Sequence, residues 1–145
     1  GNTPKAAVKD YLNTLRKEGA KYNDSITNKL NKEFSSVFKE MNYKILDVDV
    51  DGNYATVEVE IESKNISVSL TDSMLTGYMY AYAGVYDYEL DTAMEVVMAE
   101  NLKNQTIEKR RGNIHLFNEN GVWEVVQDSD LEEVIFGACI DGLLY

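Results

Sequence analysis

Carboxylates at alternating positions form the closest match to a metal-binding motif in this chain. The run DVDVDGNYATVE, residues 47–58, places Asp47, Asp49, Asp51 and Glu58 at ligand positions of an EF-hand calcium loop. An EF-hand needs a helix after its closing glutamate, whereas Glu58 lies in TVEVEIES, an alternating β-branched run typical of a strand. A hairpin is therefore the prediction, and a calcium site at these four carboxylates is the alternative.

Tyrosines form the best candidate binding surface. Tyr78, Tyr82 and Tyr86 are four residues apart and share one face of a predicted helix. A phenol ring combines apolar area with a polar tip, which suits half-wet pockets and interfaces. Packing of these rings in the core is the alternative. Trp123 and Phe117, on a later hairpin, complete the predicted ligand-binding or interface set.

Other residues that could do chemistry are sparse. His115 and Cys139 are the single histidine and the single cysteine. A Cys–His nucleophilic pair is conceivable, but a hydrogen-bonded sheet histidine and a buried cysteine are favoured. The chain has no Gly-rich phosphate loop, no GxSxG and no HExxH. We therefore assign no catalytic residue, expect no cofactor and favour a protein that is not an enzyme.

Size and charge restrict the class of protein and of partner. A chain of 145 residues with 44% hydrophobic residues predicts a single domain, residues 1–145. A net charge of -11 repels phosphate backbones and anionic lipids, so nucleic acid is not an expected partner. The longest uncharged stretch, residues 73–86, is shorter than the roughly 20 apolar residues of a membrane span.

Two hairpins form the predicted sheet. The first, residues 46–62, turns at Asp51-Gly52 or Gly52-Asn53; the second, residues 113–127, turns across residues 118–121. In the first hairpin Leu46, Val48 and Val50 should share a buried face with the apolar residues of the next strand, leaving an acidic outer face. The second hairpin is apolar on both faces, so its second face should meet a helix, a ligand or another copy of the chain.

Helical patterns surround the hairpins. The first helix should begin at a Thr3 cap and reach about Glu18, and a second should run from residue 24 or 25 to about 41. Residues 71–104 read as helical from an Asp72 cap, either unbroken or with a break near residues 84–87. A last helix should follow a cap at Asp128 or Ser129.

The basic run that includes Lys103, Lys109, Arg110 and Arg111 is the counterpart of the acidic hairpin face. Like charges facing each other across a hairpin are destabilising. We therefore expect the second hairpin to lie beside the first, with these cations against the carboxylates; two separately solvated faces are the alternative.

This order of elements resembles the cystatin-like cone of the nuclear-transport-factor-two-like superfamily. Within it, the chain is similar to small exported lipoprotein domains of Gram-positive bacteria, through NTPKAAVKDYLNTLRK at the start, the strand NYATVEVEI, and NGVWEVVQDSDLEEVIFGACIDGL near the end. The resemblance implies a curved antiparallel sheet around helices, export, and lipid anchoring through a residue upstream of Gly1. It carries over no catalytic position. The chain departs from longer members by a C-terminal helical segment where they continue the sheet.

The expected function is an extracytoplasmic, non-enzymatic domain that binds a small molecule or a protein. The alternatives are a small cone-pocket enzyme of the isomerase or dehydratase type, and a structural homodimer formed through the sheet face.

Overall fold

The fold comes from a computed structural model that describes residues 2–18, 35–84 and 90–137. Within these residues it has five helices and four strands. In chain order they are α1 (Pro4–Glu18), α2 (35–39), β1 (Asn42–Asp51), β2 (Tyr54–Lys64), α3 (Ile66–Tyr82), α4 (Leu90–Asn104), β3 (Ile107–Glu119), β4 (Val122–Val125) and α5 (Ser129–Phe136).

The four strands form one curved antiparallel sheet in the order β1-β2-β3-β4. The two hairpins are therefore β1–β2 and β3–β4, and they join through β2 and β3. Buried side chains of the helices and of one sheet face make a single core. The predicted α+β class, a sheet of two hairpins packed against helices as in a cystatin-like cone, is confirmed.

Turn chemistry explains both hairpins. Asp51 pairs with Tyr54, so the first loop is Gly52-Asn53, with Gly52 at φ 61°. Glu119 pairs with Val122, and both loop residues, Asn120 and Gly121, have positive φ (56° and 84°). Two successive positive φ values are what a type I′ turn requires, which accounts for Asn-Gly at this position.

The predicted neighbourhood of acidic and basic strands is confirmed. Glu60 lies opposite Arg111 and Glu62 opposite Lys109 in the β2–β3 ladder. Arg111 Nε approaches Glu60 Oε2 at 3.4 Å. Because the Arg111 side chain is 69% exposed, the contribution of this pair to stability is small, and its main effect is to relieve repulsion between the carboxylates.

The predicted burial of the first strand is wrong. Val48 lies opposite Val57, which is fully buried, yet Val48 and Val50 are 36% and 52% exposed, and Leu46 is exposed as well. The reason is position: β1 is an edge strand, and a register shift between Ile45 and Asp47 carries its outer half past the described core. In this hairpin, the inward-facing residues of β2 are buried along the strand from Ala55 to Ser63.

Side-chain caps start the helices. Thr3 Oγ1 accepts a hydrogen bond from Ala6 N at 3.1 Å, as predicted. Of the two predicted caps of the last helix, Asp128 is the one used, and its Oδ1 accepts from Leu131 N at 2.9 Å. The predicted Asp72 cap is wrong. Helix α3 begins six residues earlier, where Asn65 Oδ1 accepts from Val68 N at 3.0 Å directly after β2 ends. The strand-like pattern of residues 54–64 thus passes into helix without the loop that the sequence suggested.

The region predicted as one helix or two is two. Helix α3 ends at Tyr82, Gly84 has φ 68°, and α4 begins at Leu90. Of the second predicted helix, residues 35–39 are helical, and residues 24–34 lie outside the described residues. No helix among the described residues is long and apolar enough to cross a membrane.

Tyr11 should make the free energy of unfolding depend on pH in the alkaline range. Burial raises the pKa of Tyr11 above its ordinary value of 10.0, against a smaller opposing effect of its hydrogen bond with Gln127. The unfolded chain therefore loses this proton first, so the free energy of unfolding is retained below about pH 10 and falls as the pH rises further. Tyr11→Phe should flatten that fall in urea titrations between pH 9 and about 11. Equal slopes for Tyr11→Phe and the unsubstituted protein would contradict the assignment.

Candidate functional site

An open groove of about 560 Å³ lies between β3 and α5. One wall is β3 and the other is α5 with the glycine after it. The lining residues are Arg110, Arg111, Gly112, Asn113, Asp130, Glu133, Val134 and Gly137. Two arginines and two acidic residues thus line one groove whose size is within the range of small-molecule sites.

Helix α5 lies beside the part of β3 that β4 does not pair. The β3–β4 ladder covers Leu116 to Glu119, and Val126 N extends it with a hydrogen bond to His115 O at 2.8 Å. A Cβ atom on Gly112 would lie 2.9 Å from Val134 Cβ, so the absence of a side chain there lets α5 approach the strand. The helix shields this strand edge and creates the groove.

The two ends of α5 set the orientation of the groove residues. Asp128 caps the first turn, which places Asp130 and Glu132 near the positive end of the helix dipole. Gly137 ends the helix at φ 96°, and its N–H donates to Glu133 O at 2.8 Å. A side chain at position 137 would overlap Asn65, so both conformation and space require glycine there.

Arg110 is one of the lining residues and joins α5 to the sheet. Its Nε donates to Val134 O at 3.1 Å, and one terminal nitrogen donates to Ile135 O at 3.1 Å and to Ser63 Oγ at 2.7 Å. The other terminal nitrogen donates to Ser63 O at 3.3 Å and to Glu108 Oε1 at 3.1 Å. Burial lowers the pKa of Arg110, and the hydrogen bond and charge of Glu108 oppose that shift.

The Arg110 network extends to the helices α3 and α4. Glu108 Oε1 also accepts from Asn65 Nδ2 at 2.9 Å, and Asn65 caps α3. Next to Asn65, Lys64 Nζ donates to Leu102 O at 3.0 Å near the end of α4, where a cation complements the helix dipole. The end of β2 and the start of β3 therefore tie three helices together beneath the groove.

His115 lies at the end of the groove, on the outer sheet face. Its Nε2 is 2.7 Å from Asp130 Oδ2, and its Nδ1 is 3.2 Å from Thr56 Oγ1. Because an ionised carboxylate only accepts, Nε2 carries a hydrogen, and in the neutral ring Nδ1 then accepts from the threonine hydroxyl. Both His115 and Asp130 are partly open to water, so this arrangement fixes α5 to the sheet without enclosing a reactive group.

One group of described side chains has the spacing to hold a metal ion. Potential ligand atoms of His115, Asp128 and Asp130 lie within 4.8 Å of one another. A metal on His115 Nε2 would replace the hydrogen bond to Asp130, and Asp128 already uses Oδ1 as the α5 cap. The group is therefore already committed to α5.

The sequence-predicted binding residues that the structure describes lie on three elements, with Trp123 on β4, Phe117 on β3 and Tyr82 on α3. Trp123 is buried in the core, and Phe117 packs half-buried against Tyr54 with ring centroids 5.3 Å apart. Tyr78 lies on α3, the ring of Tyr82 on the same helix is 95% exposed, and Tyr86 lies outside the described residues.

The candidate calcium ligands lie within the first hairpin. Asp47, Asp49 and Asp51 lie along β1, and Glu58 lies opposite Asp47 on β2. Cys139, the other half of the conceivable Cys–His pair, lies outside the described residues.

The groove residues were missed from the sequence as a site. The sequence pattern identifies Arg110 and Arg111 only as the counterpart of the acidic strand, and it does not single out Asp130 or Glu133. Two sequence signals could have indicated the groove. The Asp128 cap and the Gly137 stop limit α5 to eight residues, and the strand β4 that precedes it has only four residues, so α5 must lie beside the unpaired part of β3.

Comparison with known proteins adds no identity. The chain matches no known family model, and no curated protein or solved structure is significantly similar to it.

Proposed function

We propose that this chain is an extracytoplasmic, non-enzymatic binding domain whose β3–α5 groove holds a small ligand that carries both charges, such as a free amino acid or a dipeptide. The observation that supports this most is that residues of both charges, among them Arg111 and Glu133, line an open groove of about 560 Å³.

Exposure decides which of these charges are free to meet a ligand. Arg110 is 12% exposed and is used by the fold, whereas Arg111 is 69% exposed and shares only a long ion pair with Glu60. On the facing wall Glu133 is exposed. Arg111 would bind a ligand carboxylate in a forked pair, and Glu133 would bind a ligand ammonium group.

A binding role fits the groove better than acid–base catalysis. An isomerase or dehydratase site needs an ionisable group in a closed, water-excluding cavity. The described carboxylates of this groove are exposed to water, and Arg110 has its donors committed to main-chain and side-chain oxygens.

Location outside the cytoplasm, with lipid anchoring in the full-length protein, is part of the proposal and rests on the resemblance to exported lipoprotein domains. Fractionation of cells that make the full-length protein tests it: recovery in the soluble cytoplasmic fraction would contradict it.

Ligand-dependent thermal unfolding tests the groove. The twenty amino acids and a set of dipeptides would each be added at 10 mM. A ligand with a dissociation constant near 100 µM should stabilise the chain by about 2.7 kcal/mol and raise Tm by several degrees. The double variant Arg111→Gln/Glu133→Gln should remove the shift.

The matched control is Lys109→Gln/Glu100→Gln, which also removes one positive and one negative charge, but from exposed residues outside the groove lining. A shift that disappears equally in both double variants, or no shift with any probe, would contradict the proposal.

A further inference from the structure

We propose that the outer edge of β1 binds an extended, cationic polypeptide segment as an additional strand of the sheet. The residues that carry this surface, called here the β1 edge, are 46–51. It is separate from the groove, because β1 and the β3–α5 pair lie on different sides of β2.

Main-chain groups supply the first part of the site. β1 is the first strand in the sheet order, and no described residue pairs with its outer side. An edge strand presents unpaired N–H and C=O groups to which another strand can add. The second half of β1 is in regular register with β2 from Asp47 to Asp51, so it offers an ordered template.

Apolar side chains supply the second part. Leu46, Val48 and Val50 are exposed although the last two point to the buried side of the sheet. Their cross-strand partners on β2, Val57 and Ala55, are buried. An added strand with apolar residues at alternate positions would extend this face and cover them.

The negative charges of β1 indicate that the added strand is cationic. Asp47, Asp49 and Asp51 alternate with the apolar residues on the opposite face, and Glu58 lies opposite Asp47. Among the described residues none of the three aspartates has an ion pair. Opposite charges across neighbouring strands stabilise a sheet, so the added strand should carry Lys or Arg at alternate positions.

The same charges disfavour a second copy of this chain. Antiparallel pairing of two β1 strands would place aspartates against aspartates, in two chains that each carry a net charge of -11. The acidic edge therefore rejects its own copies while it accepts a basic strand.

A labelled ten-residue peptide of alternating lysine and valine is the probe. Fluorescence anisotropy should show saturable binding that weakens as NaCl is raised from 50 to 500 mM, and hydrogen exchange should slow at the amides of 46–51. Asp47→Asn/Asp49→Asn should weaken binding about tenfold, since each charged cross-strand pair contributes roughly two- to fivefold.

Two controls separate strand addition from general charge attraction. Glu119→Gln/Glu124→Gln removes two exposed charges from the β3–β4 end of the sheet and should change the affinity less than twofold, because these positions would not face the peptide. A peptide N-methylated at alternate residues keeps its charge but cannot complete the ladder, and it should bind at least tenfold more weakly.

Equal weakening by both double variants, equal affinity of the N-methylated peptide, or a peptide-free dimer with β1 protected would each overturn the proposal. None of these results depends on the β3–α5 groove.

Discussion

Arg110→Leu is expected to destabilise the protein by about 3 kcal/mol in urea unfolding, among the largest effects of any single change. The guanidinium satisfies Val134 O and Ile135 O at the end of α5 and both oxygens of Ser63. Leucine fills part of the volume but donates nothing, so these oxygens stay in a low-dielectric region without their partner. The end of α5 should then separate from the sheet first, with faster hydrogen exchange in residues 131–136.

Arg111→Leu is the matched control for this prediction. It removes the same side chain one residue later, where the guanidinium is mostly exposed and has one ion pair at 3.4 Å. Its effect should be below about 1 kcal/mol. Arg110→Lys should lie between the two, because one ammonium group cannot reach all the acceptors of the planar fork. Similar midpoints for Arg110→Leu and Arg111→Leu would show that the network contributes little.

The fold was readable from the sequence where one local signal decided the structure. The Asn120-Gly121 turn, the Thr3 and Asp128 caps and the alternation of β2 each depend on neighbouring residues alone, and each was predicted correctly. The charges also favour the pairing of β2 with β3, because an acidic and a basic strand stabilise each other when they lie side by side.

The sequence could not predict features that depend on what lies across space. Val48 and Val50 alternate as buried residues do, and only the place of β1 at the sheet edge leaves them exposed. In the sequence Asn65 is an ordinary polar residue after a strand. Its role depends on Glu108, 43 positions later, which accepts from the Asn65 amide nitrogen and so orients the Asn65 oxygen toward Val68 N at the start of α3.

The candidate site shows the same division. Arg110 and Arg111 are adjacent and identical in type, yet one is a nearly buried donor to five acceptors and the other is mostly exposed to water. Alternation on a strand predicts that they point to opposite faces, but not that α5 covers one of those faces. The groove exists because an eight-residue helix takes the place that a longer β4 would fill.

Phe136→Ala is expected to destabilise the protein by about 3–5 kcal/mol, the cost of removing a buried phenylalanine. Phe136 is fully buried at the end of α5, and its ring meets Phe38 of α2 edge to face, with centroids 5.9 Å apart at 67°. The ring therefore packs the end of α5 against α2, in addition to the Arg110 hydrogen bonds. Leu75→Ala, at an exposed position on α3, removes a large apolar side chain at a cost near 0.5 kcal/mol and serves as the control in the same urea titrations.

A double-mutant cycle isolates the ring pair if Phe136→Ala leaves too little folded protein to measure. Phe38→Leu and Phe136→Leu keep most of the buried volume but remove the edge-to-face geometry. The two single changes should then show a coupling energy of about 1 kcal/mol, because the first change already removes the aromatic contact that the second would lose. Additive effects would mean that each ring contributes through its buried area alone, and that α2 and α5 are held together by general packing rather than by this contact.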